Sequence, residues 1–233
     1  MPAETDPVHE KLSSPTYSVP VYWHFGQLWY LARDAALRCV EIELRDPPGI
    51  AGDAIVAIVM AASAVEAFVN EVAFLVESHV ASTPGHYPDS VVAFGTILMD
   101  AVRARTDIGI KYQLASTTLT GKPFRKGEQP YQDFADLIRL RNWLVHLSPR
   151  APNTVIARFR QAGLTLTPLT WTDEGGTLRE ATLSKVDSIS TSRMARWACD
   201  AARHQILSVI DMFPTGQADP LSIIRQTFAQ NVS

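Results

Sequence analysis

The residues with the clearest potential for chemistry lie in the stretch Arg141-Asn142-Trp143-Leu144-Val145-His146. A histidine titrates near pH 6.5, so its imidazole can take up or release a proton under physiological conditions. An arginine keeps its positive charge and can stabilise negative charge that develops during a reaction. The two side chains therefore suit a reaction that moves a proton and builds up negative charge.

The stretch falls on a helix that the sequence predicts over about 130–148, ended by Pro149 and Pro152. At about 100° per residue, Arg141 lies in the middle of the apolar stripe of this helix. The stripe consists of Phe134, Leu137, Ile138, Leu144 and Val145. Because a guanidinium cannot lose its charge, we expect Arg141 to be paired with a carboxylate or to face a cleft that admits an anion.

A partner for Arg141 is available on the predicted second helix, over about 52–80. This helix is apolar nearly all round, which is typical of a helix at the centre of a core. Its polar residues form one strip at helical spacing, Ser63, Glu66, Asn70 and Glu77. Glu66 is predicted to orient Arg141 for catalysis, but a purely structural ion pair between two helices explains the same pattern.

The geometry of the helix separates the two reactive side chains. Arg141 and His146 are about 140° apart on an ideal helix. Asn142 and His146, four residues apart, share the adjoining flank with Arg139. Arg141 and His146 can act on one ligand only if the long arginine side chain reaches round the helix or if the helix loosens before Pro149.

At these positions the chain resembles HEPN-domain proteins, whose signature is an arginine and a histidine separated by four to six residues, often with a polar residue directly after the arginine. Here Asn142 follows Arg141, and four residues separate Arg141 from His146. The stretch SAVEAFVNEVAF at 63–74 resembles the central helix of that family, with Glu66 and Asn70 as its polar members. The resemblance covers about 50–150 and the last long helix.

The resemblance implies an all-α, up-and-down bundle of about five to six helices that pairs as a homodimer and brings two copies of Arg141 and His146 to one cleft. Many HEPN proteins cut single-stranded RNA without a metal, as toxins or in phage defence, and a toxin is commonly paired with an antitoxin protein. In such a reaction the 2'-hydroxyl of the RNA attacks, an imidazole transfers protons and the guanidinium stabilises the phosphorane. The predicted catalytic set is Arg141, His146, Asn142 and Glu66, with no metal or cofactor.

The predicted RNA-binding residues are Arg139, Lys122, Arg125, Lys126 and Asn70. Scattered solvated charge is the commoner explanation for such lysines and arginines, and a non-catalytic RNA-binding or protein-interaction module is the alternative function. His146 then only caps a helix end. In the last helix, Arg193, Arg196 and Arg203 form a basic face that suits plain surface, a second RNA track or a contact for an acidic antitoxin.

Composition limits these readings. The 233-residue chain carries a net charge of -3, whereas proteins that coat nucleic acid are usually strongly basic, so RNA contacts must come from a local cluster of cations. Cys39 and Cys199 have no metal-type spacing and are expected to be buried thiols in a reducing compartment. No signal peptide or membrane span is predicted, which favours the cytoplasm.

The predicted organisation is a flexible arm over 1–20 followed by a single helical domain over 21–233. Between the helix with Arg141 and the last long helix, at about 190–213, the stretch 153–185 has short runs typical of strands. These runs include TVIARFR at 154–160, and they predict a small β-hairpin-like insert. A short helix is expected near 219–229.

Overall fold

The computed structural model of the chain describes residues 23–43, 51–146, 152–166, 170–172, 176, 178–180, 183–215, 219–222 and 224–225. The predicted arm over 1–20 and most of the helix expected near 219–229 lie outside these residues. Within them the chain is predominantly helical, as the sequence predicts. In chain order the elements are α1 (His24–Glu43), α2 (Asp53–Ser82), α3 (Asp89–Arg103), α4 (Ile108–Thr120), α5 (Tyr131–His146), α6 (Asn153–Gln161), β1 (Thr170–Thr172), β2 (Leu178–Glu180), α7 (Lys185–Ile189) and α8 (Ser192–Ile210).

The central element is α2, against which α1, α3, α5 and α8 pack. Many of its buried residues are alanines or valines, small side chains that let neighbouring helices approach closely. Phe68 and Ile58 fill the space between helices and are fully buried. The sequence prediction of a core helix at this position is therefore confirmed.

By length and composition, α2 is also a helix that could cross a membrane, although half of that apolar stretch is buried against the rest of the protein. A core helix satisfies the same criteria.

Short polar contacts define where the helices begin and end. The side chain of Asp107 accepts a hydrogen bond of 2.8 Å from the backbone N–H of Gly109 at the start of α4. This helix ends at Gly121, whose φ of 75° suits glycine because it has no Cβ. Thr191 caps α8 by accepting a bond of 2.9 Å from the N–H of Met194.

The region 153–185 differs from its prediction. The run TVIARFR was expected to be a strand, but it forms most of α6. Val155, Ile156 and Phe159 are buried, and their spacing places them on one face of a helix. A pattern of short apolar runs fits either element, and packing against α5 and α8 selects the helix here.

Among the residues of this region that the structure describes, six lie in strands. In the short antiparallel ribbon of β1 and β2, Trp171 pairs with Arg179. The short helix α7 follows, held by a capping box between Ser184 and Asp187.

Candidate functional site

The ion pair between Arg141 on α5 and Glu66 on α2 is the centre of the candidate site. Arg141 Nη2 donates to Glu66 Oε2 at 2.6 Å, and Arg141 Nη1 donates to Asn142 Oδ1 at 2.9 Å. The side chain of Arg141 is 25% exposed and that of Glu66 is 41% exposed. The predicted contact is confirmed, and the guanidinium is held in one orientation while part of it remains open to solvent.

The rest of the polar strip on α2 also joins neighbouring helices. Asn70, one turn after Glu66, accepts a hydrogen bond of 2.9 Å from Nζ of Lys111 on α4. Glu77 accepts two bonds from Nη2 of Arg103 on α3, at 3.0 and 3.1 Å. The strip therefore aligns three cations from three helices along one edge of α2, with two carboxylates and an amide between them.

Lys111 is the most buried of these cations, with only 5% of the residue exposed. Its neighbour Tyr112 is fully buried, donates its hydroxyl to the carbonyl of Val65 at 3.0 Å and thereby fixes α4 against α2. Burial raises the pKa of the Tyr112 hydroxyl, so this group remains a neutral hydrogen-bond donor.

The apolar stripe of α5 is displaced from its predicted position. The buried residues are Tyr131, Phe134, Asp136, Leu137 and Leu140. On an ideal helix this set is centred near Leu137. Arg141 lies about 40° from that centre and so falls within the stripe, but its side chain is only partly buried. Val145, predicted to be buried, is half exposed. In the last turn of α5 the cover is incomplete, since Trp143 and Leu144 are partly buried against the core while Val145 is exposed.

His146 is the last residue of α5 and is exposed. Within the described part of the chain it makes no hydrogen bond or ion pair. Arg141 instead faces α2, so among the residues that the structure describes the two side chains share no partner. Trp143 is partly buried against the core.

The predicted RNA-binding residues do not form one group. Asn70 lies on the α2 strip, whereas Lys126 and Arg139 line a separate polar cleft of about 250 Å³ together with Asp136 and Arg158. Lys122 is exposed on the loop after α4. Arg125 is also exposed, and it is paired with Glu128 at 3.0 Å.

The second cleft is built around Asp136, whose side chain is only 3% exposed. Arg139 donates to it at 3.4 Å, and Arg158 of α6 forms an ion pair with its other oxygen. Three cations and one carboxylate leave this cleft positive. It lies on a different side of α5 from Arg141, because residues 139 and 141 are about 200° apart on a helix.

No protein-family model, curated protein or solved structure matches this chain. Among the residues that the structure describes, no three histidine, cysteine or acidic side chains are grouped as metal ligands. The functional interpretation therefore depends on the geometry of the two polar regions and on the resemblance of the motif.

Sequence reasoning did not single out three residues of these regions. Lys111 lies on the Arg141 side of α2, and nothing in its local pattern distinguishes it from the other lysines of the chain, because its contact with Asn70 comes from the packing of α4 on α2. Asp136 carries a weak signal, an acid three residues before Arg139 on the buried side of α5. Arg158 could not be placed because its segment was assigned to a strand.

Proposed function

We propose that this chain is a metal-independent endoribonuclease with a HEPN-like fold, which cleaves single-stranded RNA through attack by the 2'-hydroxyl. The observation that carries the proposal is the orientation of Arg141 by Glu66 and Asn142. A catalytic guanidinium must be held in place and still have N–H groups free for a phosphate. Two contacts and a quarter-exposed side chain meet both requirements.

Each residue of the proposed site has a distinct role. His146, accessible at the end of α5, takes the proton of the 2'-hydroxyl or supplies one to the leaving 5'-oxygen. Arg141 stabilises the additional negative charge on the five-coordinate phosphorus. Glu66 and Asn142 position Arg141. Lys111, which binds Asn70 one helical turn along α2 from Glu66, adds positive charge.

The proposed active unit is a homodimer. In one chain, Arg141 faces α2 while His146 is exposed, so a complete site needs a second source of imidazole. A two-fold pairing through the end of α5, where Val145 is half exposed, would bring the His146 of one chain to the Arg141 of the other. RNA is the proposed substrate, with a cytoplasmic toxin or phage-defence role and an antitoxin protein as a further partner.

The decisive experiment incubates the purified chain with single-stranded RNA in EDTA. Cleavage products should end in 2',3'-cyclic phosphate, and DNA of the same sequence should remain intact. Arg141→Ala and His146→Ala should each abolish cleavage. The matched control is His204→Ala, since His204 is also exposed but lies on α8. Normal cleavage by the Arg141 and His146 variants would show that the site is assigned wrongly.

A second candidate function is a non-catalytic RNA-binding or protein-interaction module. It is favoured by the 2.6 Å contact itself, because an ion pair between two helices needs no ligand to explain it. Under this alternative the purified chain leaves RNA intact, and Arg141→Ala changes only stability.

A further inference from the structure

The polar cleft around Asp136 gathers cations from three parts of the chain. It has a volume of about 250 Å³ and is lined by Lys126 of the loop after α4, Arg139 of α5 and Arg158 of α6. Asp136 is the single acidic residue among the described residues that line it. The formal charge of the cleft is therefore about +2, on a chain whose net charge is -3.

Asp136 holds the two arginines beside each other. Its side chain is only 3% exposed, so the carboxylate needs partners, and each of its oxygens has one. Arg139 donates to Oδ1 at 3.4 Å, and Arg158 forms an ion pair with Oδ2. The side chains of Arg139 and Arg158 are nevertheless 65% and 39% exposed. Because a guanidinium has five N–H groups, both arginines keep donors that a ligand can reach.

A side-chain amide fixes the loop that carries the third cation. Gln132 of α5 donates to the carbonyl of Gly127 at 3.1 Å and accepts a bond from Nη1 of Arg158. Gly127 directly follows Lys126, so this contact holds the backbone beside the lysine against α5. Lys126 is exposed and, within the described part of the chain, has no hydrogen-bond or ion-pair partner. Its ammonium group is therefore available to a ligand.

The rest of the lining favours a ligand group that is small and polar. The amide of Gln132 adds to the polar wall. Tyr131 also contributes, but it is buried and its ring packs against Phe124 and Phe134, so it is not available to stack on a base. The volume lies below the range of about 300–1,000 Å³ for sites that enclose drug-sized ligands. A single charged group therefore suits the cleft better than a whole nucleotide.

We propose that this cleft binds a phosphate dianion, either free phosphate or the terminal phosphate of a nucleic-acid strand. Such a group carries a charge of about -1.5 to -2 at neutral pH and has three oxygens available, one for each cation of the cleft. Guanidinium groups bind phosphate oxygens in a bidentate manner, and the flexible Lys126 supplies a point charge. A carboxylate or a phosphodiester carries only one charge and matches the site less well.

The proposal goes beyond the predicted contact of Lys126 and Arg139 with RNA, because it needs no RNA chain and includes Arg158. It is also independent of the proposed ribonuclease activity, since the cleft and Arg141 lie on different sides of α5.

Calorimetric titration of the full chain at constant, physiological ionic strength tests the proposal. Inorganic phosphate is compared with dimethyl phosphate, which carries one charge. A short DNA strand with a 5'-phosphate is compared with the same strand ending in a 5'-hydroxyl; DNA has no 2'-hydroxyl, so the proposed ribonuclease activity does not cleave it. At least one phosphate form should bind about tenfold or more tightly than its control, and the tighter of the two identifies the source. The proposal is overturned if neither form binds better than its control.

Variants locate the binding. Lys126→Gln should weaken phosphate binding by about tenfold or more and leave the fold intact, because the lysine has no partner among the described residues. Arg139→Gln should weaken binding as well. The matched control is Lys122→Gln, an exposed lysine of the same loop that does not line the cleft, and it should bind as the parent chain does. Unchanged affinity in both Lys126→Gln and Arg139→Gln would refute the site.

The Arg141→Ala variant separates this proposal from the proposed ribonuclease activity. It should bind phosphate as tightly as the parent chain, whether or not the parent cleaves RNA. Loss of phosphate binding in that variant would place the anion in the Arg141 region instead and refute the cleft.

Discussion

Arg141 Nη2 lies 2.6 Å from Glu66 Oε2, although 75 residues separate the two in the chain. The contact joins the central helix α2 to the C-terminal part of α5, where Trp143 and Leu144 are only partly buried against the core. It therefore both ties two helices together and presents a guanidinium near the surface.

Removing either partner of this pair should reduce stability by a moderate amount. Because Glu66 is 41% exposed, solvent screens the pair, and we expect a loss of about 1–2 kcal/mol for Arg141→Ala or Glu66→Ala. Urea unfolding of both single variants and the double variant measures the coupling between them. Arg103→Ala, which breaks the more exposed pair with Glu77, is the control and should cost less. Losses that simply add would show that the pair contributes no coupling energy.

A mixture of two inactive variants tests the proposed dimer. Arg141→Ala chains keep His146, and His146→Ala chains keep Arg141. If each site combines residues from both chains, random mixing should restore about a quarter of the parent activity, because half of the dimers are mixed and each of these holds one intact pair. RNA cleavage after joint refolding measures the recovery. No recovery, despite mixed dimers detected by mass, would contradict a shared site.

The contact between Asn70 and Lys111 should respond differently to the loss of each partner. Asn70→Ala leaves the buried amine of Lys111 without its acceptor, and we expect a loss of about 1–3 kcal/mol. Lys111→Met should cost less, since methionine suits a buried position and water can reach the half-buried Asn70. Urea unfolding compares the two. The double variant is the control and should resemble Lys111→Met alone; a double variant as unstable as Asn70→Ala would contradict the explanation.

Glu71 on α2 should make stability depend on pH. Burial raises the pKa of its carboxyl above the ordinary value of 4.5, while His24, 3.3 Å away, partly opposes that effect. Between the ordinary and the raised pKa the folded chain binds more protons than the unfolded chain, so stability falls as the pH rises through this window. We expect Glu71→Gln to raise the melting temperature at about pH 7 and to have little effect at about pH 4. Calorimetry at both pH values checks this, with the exposed Glu41→Gln as control. An equal shift at both values would mean that the carboxyl charge is not the cause.

The sequence by itself determined the helices and one contact between them. The pattern of apolar side chains and helix-ending prolines identified α2 as the core helix and located α5 and α8. A strip of polar residues on a mostly apolar helix was enough to pair Glu66 with Arg141, because a buried charge requires a partner and few were available.

Only the tertiary structure decided what depends on neighbours distant in the chain. The run TVIARFR suited either a strand or a helix until its packing selected α6, and that choice brought Arg158 to Asp136. The separation of Asn70 from Lys126 and Arg139 on two sides of α5, and the burial of Lys111, follow from the way in which helices pack together. Local periodicity fixes which face of a helix is buried, but it carries no information about which helix covers that face or where the cover ends.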